Sequence, residues 1–419
     1  MTTKRTLSIH QPEDILGYIP HLLGYWPEDS LVAITMQGKM LGATLRVDLP
    51  SHRSPRALVG FAEQIRQYLV ADEAANGVVL AVYTDAGWAD GTVVDQAMPM
   101  IEALQLSLDE VDLSVRDAWL IGTNYWRSAF CSDKSCCPDP GLPVARIKDS
   151  RLNAELVYQG SAVGPSPRSG TGQPSLARSG PLDPSVMEAE FRWGERILGT
   201  WRSGRCLESV LAVWHHVLAR VEHGAPLQPE SDAQLIGFLR TTLKVPAWRD
   251  AVVVMAAAGM DSAVLGAAAF EFFSDDESCA PPFDVGELVV TASAANPPAT
   301  APSGSSGHGD VFTYGDVLLG MRPDTPCWPR VDALHRVLAG LCVEEESGDV
   351  AAAAFTLQGW ITWCKGSGSI AHACLARAET ARPGYRLAEL LMEVLGQGAV
   401  CRWASRPGSA WRGPRQAPV

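Results

Sequence analysis

The sequence predicts two parts with different folds: an N-terminal α/β domain, in which helices cover a mixed sheet, and an all-α C-terminal part. Two observations carry this prediction. Strand-like and helix-like patterns alternate over residues 1–160, whereas apolar residues recur at helical spacing from about Phe191 onward. The stretch between the two parts, 161–190, is rich in Gly, Pro and Ser and is predicted to be a linker.

Helix and strand signals follow one another along the N-terminal part. Pro12 opens a helix, because a first-turn residue needs no paired N–H and the acids that follow complement the helix dipole, and Pro20 is expected to end or kink it. Residues 31–34 and 41–49 are typical of two strands of a hairpin joined at Gly38. The pattern continues with an amphipathic helix at 55–71, an apolar strand at 78–83, a helix at about 93–106 and a strand at 117–121.

The C-terminal part divides into helical regions at 191–293 and 311–401, with a flexible loop between them at 294–310. Whether the two regions form one domain or two is left open. A tail at 402–419 carries arginines and no acid among Pro and Gly. It is expected to be disordered, with a tether for an acidic partner as the alternative.

The chain is expected to be cytoplasmic and without a membrane segment. Residues 1–6 lack the apolar core of a secretory signal, and 10 cysteines are too few for a disulfide scaffold, so the thiols are expected to be reduced. Residues 251–270 are the most apolar stretch. Asp261 and the many alanines favour a buried helix, or a helix pair broken at Gly259, over a membrane span.

One helical pair in the last block resembles a degenerate tetratricopeptide-type hairpin, with its turn at 366–369. The resemblance rests on the spacing of Gly359, Ala371, Leu375, Ala378 and Pro383. No clean second copy is found, although about three repeats must stack to form a stable array. An ordinary antiparallel helix pair is therefore the favoured interpretation.

Charge and motifs narrow the function classes. The chain has 419 residues with 34 Lys and Arg against 47 Asp and Glu, a formal net charge of −13, which argues against general nucleic-acid binding because phosphate contacts need cations. It holds no P-loop, no G-x-S-x-G elbow, no H-E-x-x-H helix, no dinucleotide fingerprint and no C-x-x-C pair. A common NTPase, hydrolase, zincin or dehydrogenase is not expected, although an unusual enzyme stays open.

Reactive side chains are most concentrated in a loop that contains Pro, Gly and three cysteines, Cys131, Cys136 and Cys137. Thiolates suit Zn²⁺ when four ligands reach tetrahedral positions, and Asp133 or a remote histidine is the candidate fourth ligand. Adjacent cysteines are expected to diverge on extended backbone, which counts against a shared metal. Two alternatives stay open: a Cys131–Cys136 disulfide with Lys134 lowering a thiol pKa, and cysteines that only pack and form a turn.

Carboxylates at predicted strand ends form a second candidate site. Glu28 and Asp29 precede the first strand, Asp48 ends the second, and Asp85 follows the third. An α/β sheet builds its sites at strand ends, so these acids could hold Mg²⁺ or act as an acid/base pair if several of them meet. The alternative is structural: the acids cap turns, and Asp48 pairs with Arg46 on the same strand face.

Two strings carry a family resemblance. The first comprises Pro12-Glu13-Asp14-Ile15-Leu16, Pro20-His21-Leu22-Leu23-Gly24-Tyr25, Pro27-Glu28-Asp29-Ser30-Leu31-Val32 and Arg46-Val47-Asp48-Leu49-Pro50, and the second comprises Trp126-Arg127-Ser128, Cys131, Cys136-Cys137-Pro138 and Gly141. Together they resemble the actinobacterial family known as domain of unknown function 4192, most strongly over about 1–160. The resemblance implies an actinobacterial, cytosolic protein with an N-terminal α/β region, and it assigns no activity and no catalytic residue.

Three functions remain in competition. A non-catalytic protein-interaction or adaptor module is favoured, with the helical C-terminal half as the surface for a protein partner. The first alternative is a metal-dependent hydrolase that uses Glu28, Asp29, Asp48 or Asp85. The second is a thiol redox or zinc-binding regulator built on the cysteine loop, with Zn²⁺ as the candidate cofactor. Whether the protein is an enzyme is left open.

Overall fold

The computed structural model describes residues 11–161, 163, 164, 166, 177–269, 283–289, 313–406 and 408–411. The chain divides into two units, Met1–Gln173 and Pro174–Val419, which we call the N-terminal unit and the C-terminal unit.

The N-terminal unit holds a six-stranded mixed sheet with helices on both faces. Its strands are β1 (Ser30–Gln37), β2 (Met40–Asp48), β3 (Gly77–Tyr83), β4 (Val115–Ile121), β5 (Tyr125–Ser128) and β6 (Leu142–Pro143). Its helices are α1 (Pro12–Leu23), α2 (Pro55–Leu69), α3 (Val93–Asp109), α4 (Ala145–Lys148) and α5 (Arg151–Tyr158). The strand order is β2-β1-β3-β4-β5-β6, with β3 and β4 parallel and the other neighbours antiparallel. The predicted α/β class and the β1–β2 hairpin are confirmed.

Alternate side chains of the central strands enter two separate cores, because successive side chains of a strand point to opposite faces. Leu31 and Ala33 of β1 pack with α2 and α3, whereas Val32 and Ile34 pack with α1 and α4. Every residue of β3 is buried, as its continuous apolar run predicts for a strand covered on both faces.

Four strand ends meet at one edge of the sheet, which we call the carboxyl edge. Ser30 at the start of β1 pairs with Asp48 at the end of β2 and with Tyr83 at the end of β3. Tyr83 also pairs with Ile121 at the end of β4. The four candidate carboxylates Glu28, Asp29, Asp48 and Asp85 therefore lie at or next to this edge.

The sequence predicted that Pro20 would end or kink helix α1. The helix instead continues past Pro20 to Leu23. Proline removes one N–H donor from the hydrogen bonds of the helix. Leu16 and Ile19 are fully buried in the core beneath α1, and this burial favours a helix that continues through Pro20. Gly24 closes the helix with a φ of 81° and donates its N–H to the Pro20 carbonyl at 2.8 Å.

The C-terminal unit is helical, as predicted. Its helices are α6 (Pro184–Ile197), α7 (Gly204–Glu222), α8 (Pro229–Leu243), α9 (Pro246–Ala258), α10 (Met260–Ala269), α11 (Val285–Val289), α12 (Tyr314–Leu318), α13 (Trp328–Leu341), α14 (Asp349–Cys364), α15 (Gly368–Ala381), α16 (Arg386–Gly396) and α17 (Arg402–Ser405). Buried side chains from α6 to α16 form a single hydrophobic cluster, and Trp403 of α17 belongs to it.

The most apolar stretch of the chain forms two helices, α9 and α10, that meet at Gly259. Gly259 has a φ of 96°, a conformation that favours glycine, and this confirms the predicted break. In the part of the chain that the structure describes, no helix combines the length and the apolar character that a membrane span requires.

Helices α14 and α15 form an antiparallel hairpin at the position that the small-residue spacing predicts. Gly359 of α14 lies against Leu375 and Ala371 of α15, where a Cβ atom would be 3.0 Å from the Leu375 side chain. Every residue of α14 from 350 to 364 is buried, so this helix has no solvent-facing side.

Two predicted irregular segments are partly ordered. Helix α6 begins at Pro184, inside the predicted linker, and α17 lies inside the predicted disordered tail. The tail is held because Trp403 is buried and its indole Nε1 donates to the Pro323 carbonyl at 2.7 Å. The predicted loop at 294–310 and the tail from 412 onward lie outside the described residues.

The stability of the C-terminal unit should depend on the protonation of His335 in α13. Burial lowers the pKa of His335 from 6.5 to about 4, and the charge of Lys365 adds to this effect. Between these two pKa values the unfolded chain binds a proton at His335 and the folded unit does not. The free energy of unfolding therefore decreases as pH falls from 6.5 towards about 4. We expect His335→Gln to remove this part of the loss, measured by urea unfolding across that range. The exposed His372, changed to Gln, is the control, and equal pH slopes for both variants would contradict the assignment.

Candidate metal centre

The cysteine loop connects β5 to β6 and is folded by Asp133. The Asp133 carbonyl accepts the N–H groups of Cys136 at 3.1 Å and Cys137 at 2.7 Å, which curls the backbone into a helix-like turn. Its carboxylate Oδ1 accepts the N–H of Ser135 at 2.8 Å and the Ser135 hydroxyl at 2.7 Å. Asp133 therefore organises the turn from both its backbone and its side chain.

The turn brings three thiols together. The Sγ atoms of Cys131, Cys136 and Cys137 all lie within 4.8 Å of one another. Cys136 is exposed, Cys131 is half-buried and Cys137 is 4% exposed, so the cluster opens to solvent on one side. The expectation that the adjacent cysteines diverge was wrong, because their backbone is a turn and not an extended segment.

The charges around the loop do not activate the Cys136 thiol. Lys134 Nζ lies 2.9 Å from an Asp139 carboxylate oxygen, and Arg127 approaches the other oxygen at 3.5 Å. The hydrogen bond and negative charge of Cys131, with a smaller effect of Cys137, raise the pKa of Cys136 to about 11. The prediction that Lys134 lowers a thiol pKa is not supported for Cys136, since Asp139 takes up the lysine charge.

The fourth ligand that the sequence suggested is not found in the loop. The Asp133 carboxylate already accepts the two hydrogen bonds from Ser135, and these bonds lower its pKa. Among the residues that the structure describes, Cys131, Cys136 and Cys137 are the one group of three or more His, Cys, Asp or Glu side chains placed to hold a metal ion. The described donor set is therefore three thiols with one open side.

The strand-end carboxylates share the carboxyl edge, but they do not converge. Asp85 accepts the Thr123 N–H at 2.7 Å and the Thr123 hydroxyl at 2.8 Å. Asp48 pairs with Arg46 at 2.5 Å, as the alternative interpretation predicted. Asp29 has a φ of 41°, and its carbonyl accepts the N–H of Leu49 at 2.9 Å. These contacts are structural, and Glu28 and the three aspartates form no cluster that could hold a metal within the described chain.

The carboxyl edge also carries a cavity of about 260 Å³. Its walls come from the β2–α2 connection, the end of β3 and the first two turns of α3. No sequence pattern marks this cavity, because its lining is mostly apolar and comes from three separate segments. Asp48 and Asp85 lie at the same edge of the sheet but do not line the cavity, whereas their neighbours Leu49 and Thr84 do.

The family follows from a match over most of the chain. The family model described as Domain of unknown function (DUF4192) matches residues 12–269 and 326–400. The chain belongs to the DUF4192 family. No curated protein matches the chain, and no solved structure does. Membership in DUF4192 confirms the resemblance seen in the sequence and assigns no activity. The matched residues include the cysteine loop and the carboxyl edge.

Proposed function

We propose that the N-terminal unit binds a soft metal ion, zinc in the first instance, through the thiolates of Cys131, Cys136 and Cys137. The observation that carries the proposal is the separation of the three Sγ atoms, all within 4.8 Å. Zn–S bonds of about 2.3 Å at tetrahedral angles place two sulfur ligands about 3.8 Å apart. The cluster thus needs only a small contraction to surround one ion.

The chemistry of the donor set supports a cation at this position. Three thiolates repel one another, and a divalent ion between them offsets that repulsion. Thiolate ligands select zinc or another soft ion over Mg²⁺ or Ca²⁺. The three described thiols leave a fourth position for water or a donor atom from another molecule, an arrangement in which the ligand can exchange.

Metal content tests the proposal. Protein purified without chelator should hold one equivalent of zinc, and Cys136→Ser and Cys131→Ser should each lose at least about 100-fold in zinc affinity, because even outer-shell partners are worth about 10–100-fold. Mass spectrometry of the metal and competition with a chromophoric chelator provide the measurements. Cys327→Ser is the matched control, because Cys327 is an exposed cysteine of the C-terminal unit.

Two results would contradict zinc binding. One is wild-type protein without metal and with all 10 thiols reactive after denaturation. The other is equal zinc loss in Cys327→Ser and Cys136→Ser. In either case the loop would not be a zinc site.

A protein-interaction role of the helical C-terminal unit stays a prediction. It rests on the absence of standard catalytic motifs from the sequence. Affinity purification of the full chain under several growth conditions tests it, and recovery of no stable partner would count against it.

A further inference from the structure

The cavity at the carboxyl edge has an apolar floor and a charged rim. Its floor includes the buried side chains of Leu58, Val82, Val93 and Met100. Arg53 and Asp95 line its opening and are exposed. This division, with many apolar walls and few polar groups, is the usual composition of a small-molecule site.

The guanidinium of Arg53 is placed to meet a ligand. Its Nη1 donates to the backbone carbonyl of Gln96 at 3.4 Å, a long contact that keeps the side chain against the first turn of α3. Within the described residues, the structure records no ion pair between Arg53 and a carboxylate. Helix α3 begins at Val93, which also lines the cavity, so Arg53 and the first turn of α3 face the same space.

We propose that this cavity binds a compact, largely apolar carboxylate, with its carboxylate on Arg53 and its apolar body on the floor. The inference does not depend on metal binding by the cysteines. Planar guanidinium and carboxylate groups form paired hydrogen bonds, which gives an arginine at a rim both affinity and orientation for this ligand.

Charge and size limit the ligand class. Asp95 places a negative charge at the same rim, and this disfavours a dianionic phosphate beside a single arginine. The volume of about 260 Å³ lies just below the range of about 300–1,000 Å³ for drug-sized ligands, so a compact molecule fits. The carboxylate could belong to a simple branched acid or to an apolar α-amino acid, whose ammonium group would then meet Asp95.

Four probes with the same branched body separate these chemistries: isocaproate, free leucine, isocaproamide and isoamylamine. Saturation-transfer NMR with the full chain should detect isocaproate or leucine, with binding of the amide and the amine at least about tenfold weaker. Tighter binding of leucine than of isocaproate, with the preference removed in Asp95→Asn, would assign the amino acid as the source. Tighter binding of isocaproate would assign the simple acid.

Three variants locate the binding. Arg53→Gln should weaken carboxylate binding by about tenfold or more, while Arg56→Gln, at a neighbouring exposed arginine that does not line the cavity, should leave it unchanged. Ala97→Leu should fill the cavity and remove binding of every probe. Thermal unfolding shows whether that variant is folded, and Arg53→Gln tests the site independently of it.

Three results from the probes and from Arg53→Gln would overturn the proposal: no probe binds, isoamylamine or isocaproamide binds as tightly as the carboxylates, or Arg53→Gln binds like the wild type. Binding that survives in folded Ala97→Leu would equally exclude this cavity.

Discussion

Replacing Arg240 of α8 by methionine is expected to lower the free energy of unfolding of the C-terminal unit by about 3–5 kcal/mol. Arg240 is 2% exposed and lies between two carboxylates: its Nε is 2.5 Å from Glu190 and its Nη2 is 2.5 Å from Glu346. Its Nη1 also donates to the Leu341 carbonyl. The substitution leaves these acids largely buried without their main cation, which costs more than the ion pairs themselves contribute.

Urea unfolding of the full chain, followed by tryptophan fluorescence, measures this effect. Arg192→Ala is the control, because Arg192 and Glu188 form an exposed pair on α6 that should contribute less than about 1 kcal/mol. Adding Glu190→Gln and Glu346→Gln to Arg240→Met should recover part of the loss by removing the uncompensated charge. A loss below about 1 kcal/mol in the single variant would show that water reaches the two acids.

A single methyl group at Gly237 of α8 is expected to cost about 1–3 kcal/mol, because no space exists for it. A Cβ atom there would lie 2.6 Å from the Ala189 Cβ atom and 2.6 Å from the Glu190 backbone nitrogen of α6. Backbone atoms cannot rotate away as a flexible side chain can, so the two helices would have to separate. Gly237→Ala tests this close crossing by chemical denaturation.

Gly340→Ala in α13 is the matched control with the opposite expected sign. A Cβ atom at Gly340 meets nothing within 4 Å, so the higher helix propensity of alanine should stabilise the unit by up to about 1 kcal/mol. Equal effects at Gly237 and Gly340 would mean that propensity, and not the contact of α6 with α8, determines both.

The sequence correctly predicted those helices and strands whose formation depends on residues close together in the chain. The apolar run at 78–83 became a strand buried on both faces, and Gly259 separates two helices as its sequence context indicated. Long-range contacts decided where prediction failed. Trp403 finds a buried position in a segment whose arginines and prolines suggested disorder, and no sequence pattern shows that position.

The two candidate sites also differ in how far the sequence could predict them. The spacing of Cys131, Cys136 and Cys137 identified the thiols, but their convergence depends on a turn that Asp133 forms with its carbonyl and carboxylate. An aspartate two residues before Ser135 is a signal for such a turn and could have predicted it. The cavity had no comparable signal, since Arg53 and Asp95 are brought together only by the packing of the β2–α2 connection against α3.

The burial of α14 sets the cooperativity of the C-terminal unit. Helix α14 contacts α13 and α15, its neighbours in the chain, and also α8, α16 and α17. In a solenoid each repeat touches only the next one, so such arrays can lose structure stepwise from an end. Here a helix without a polar side is covered by elements from distant parts of the sequence. Loss of any of them exposes α14 to water, so we expect the described helices around it to unfold together and not stepwise from one end.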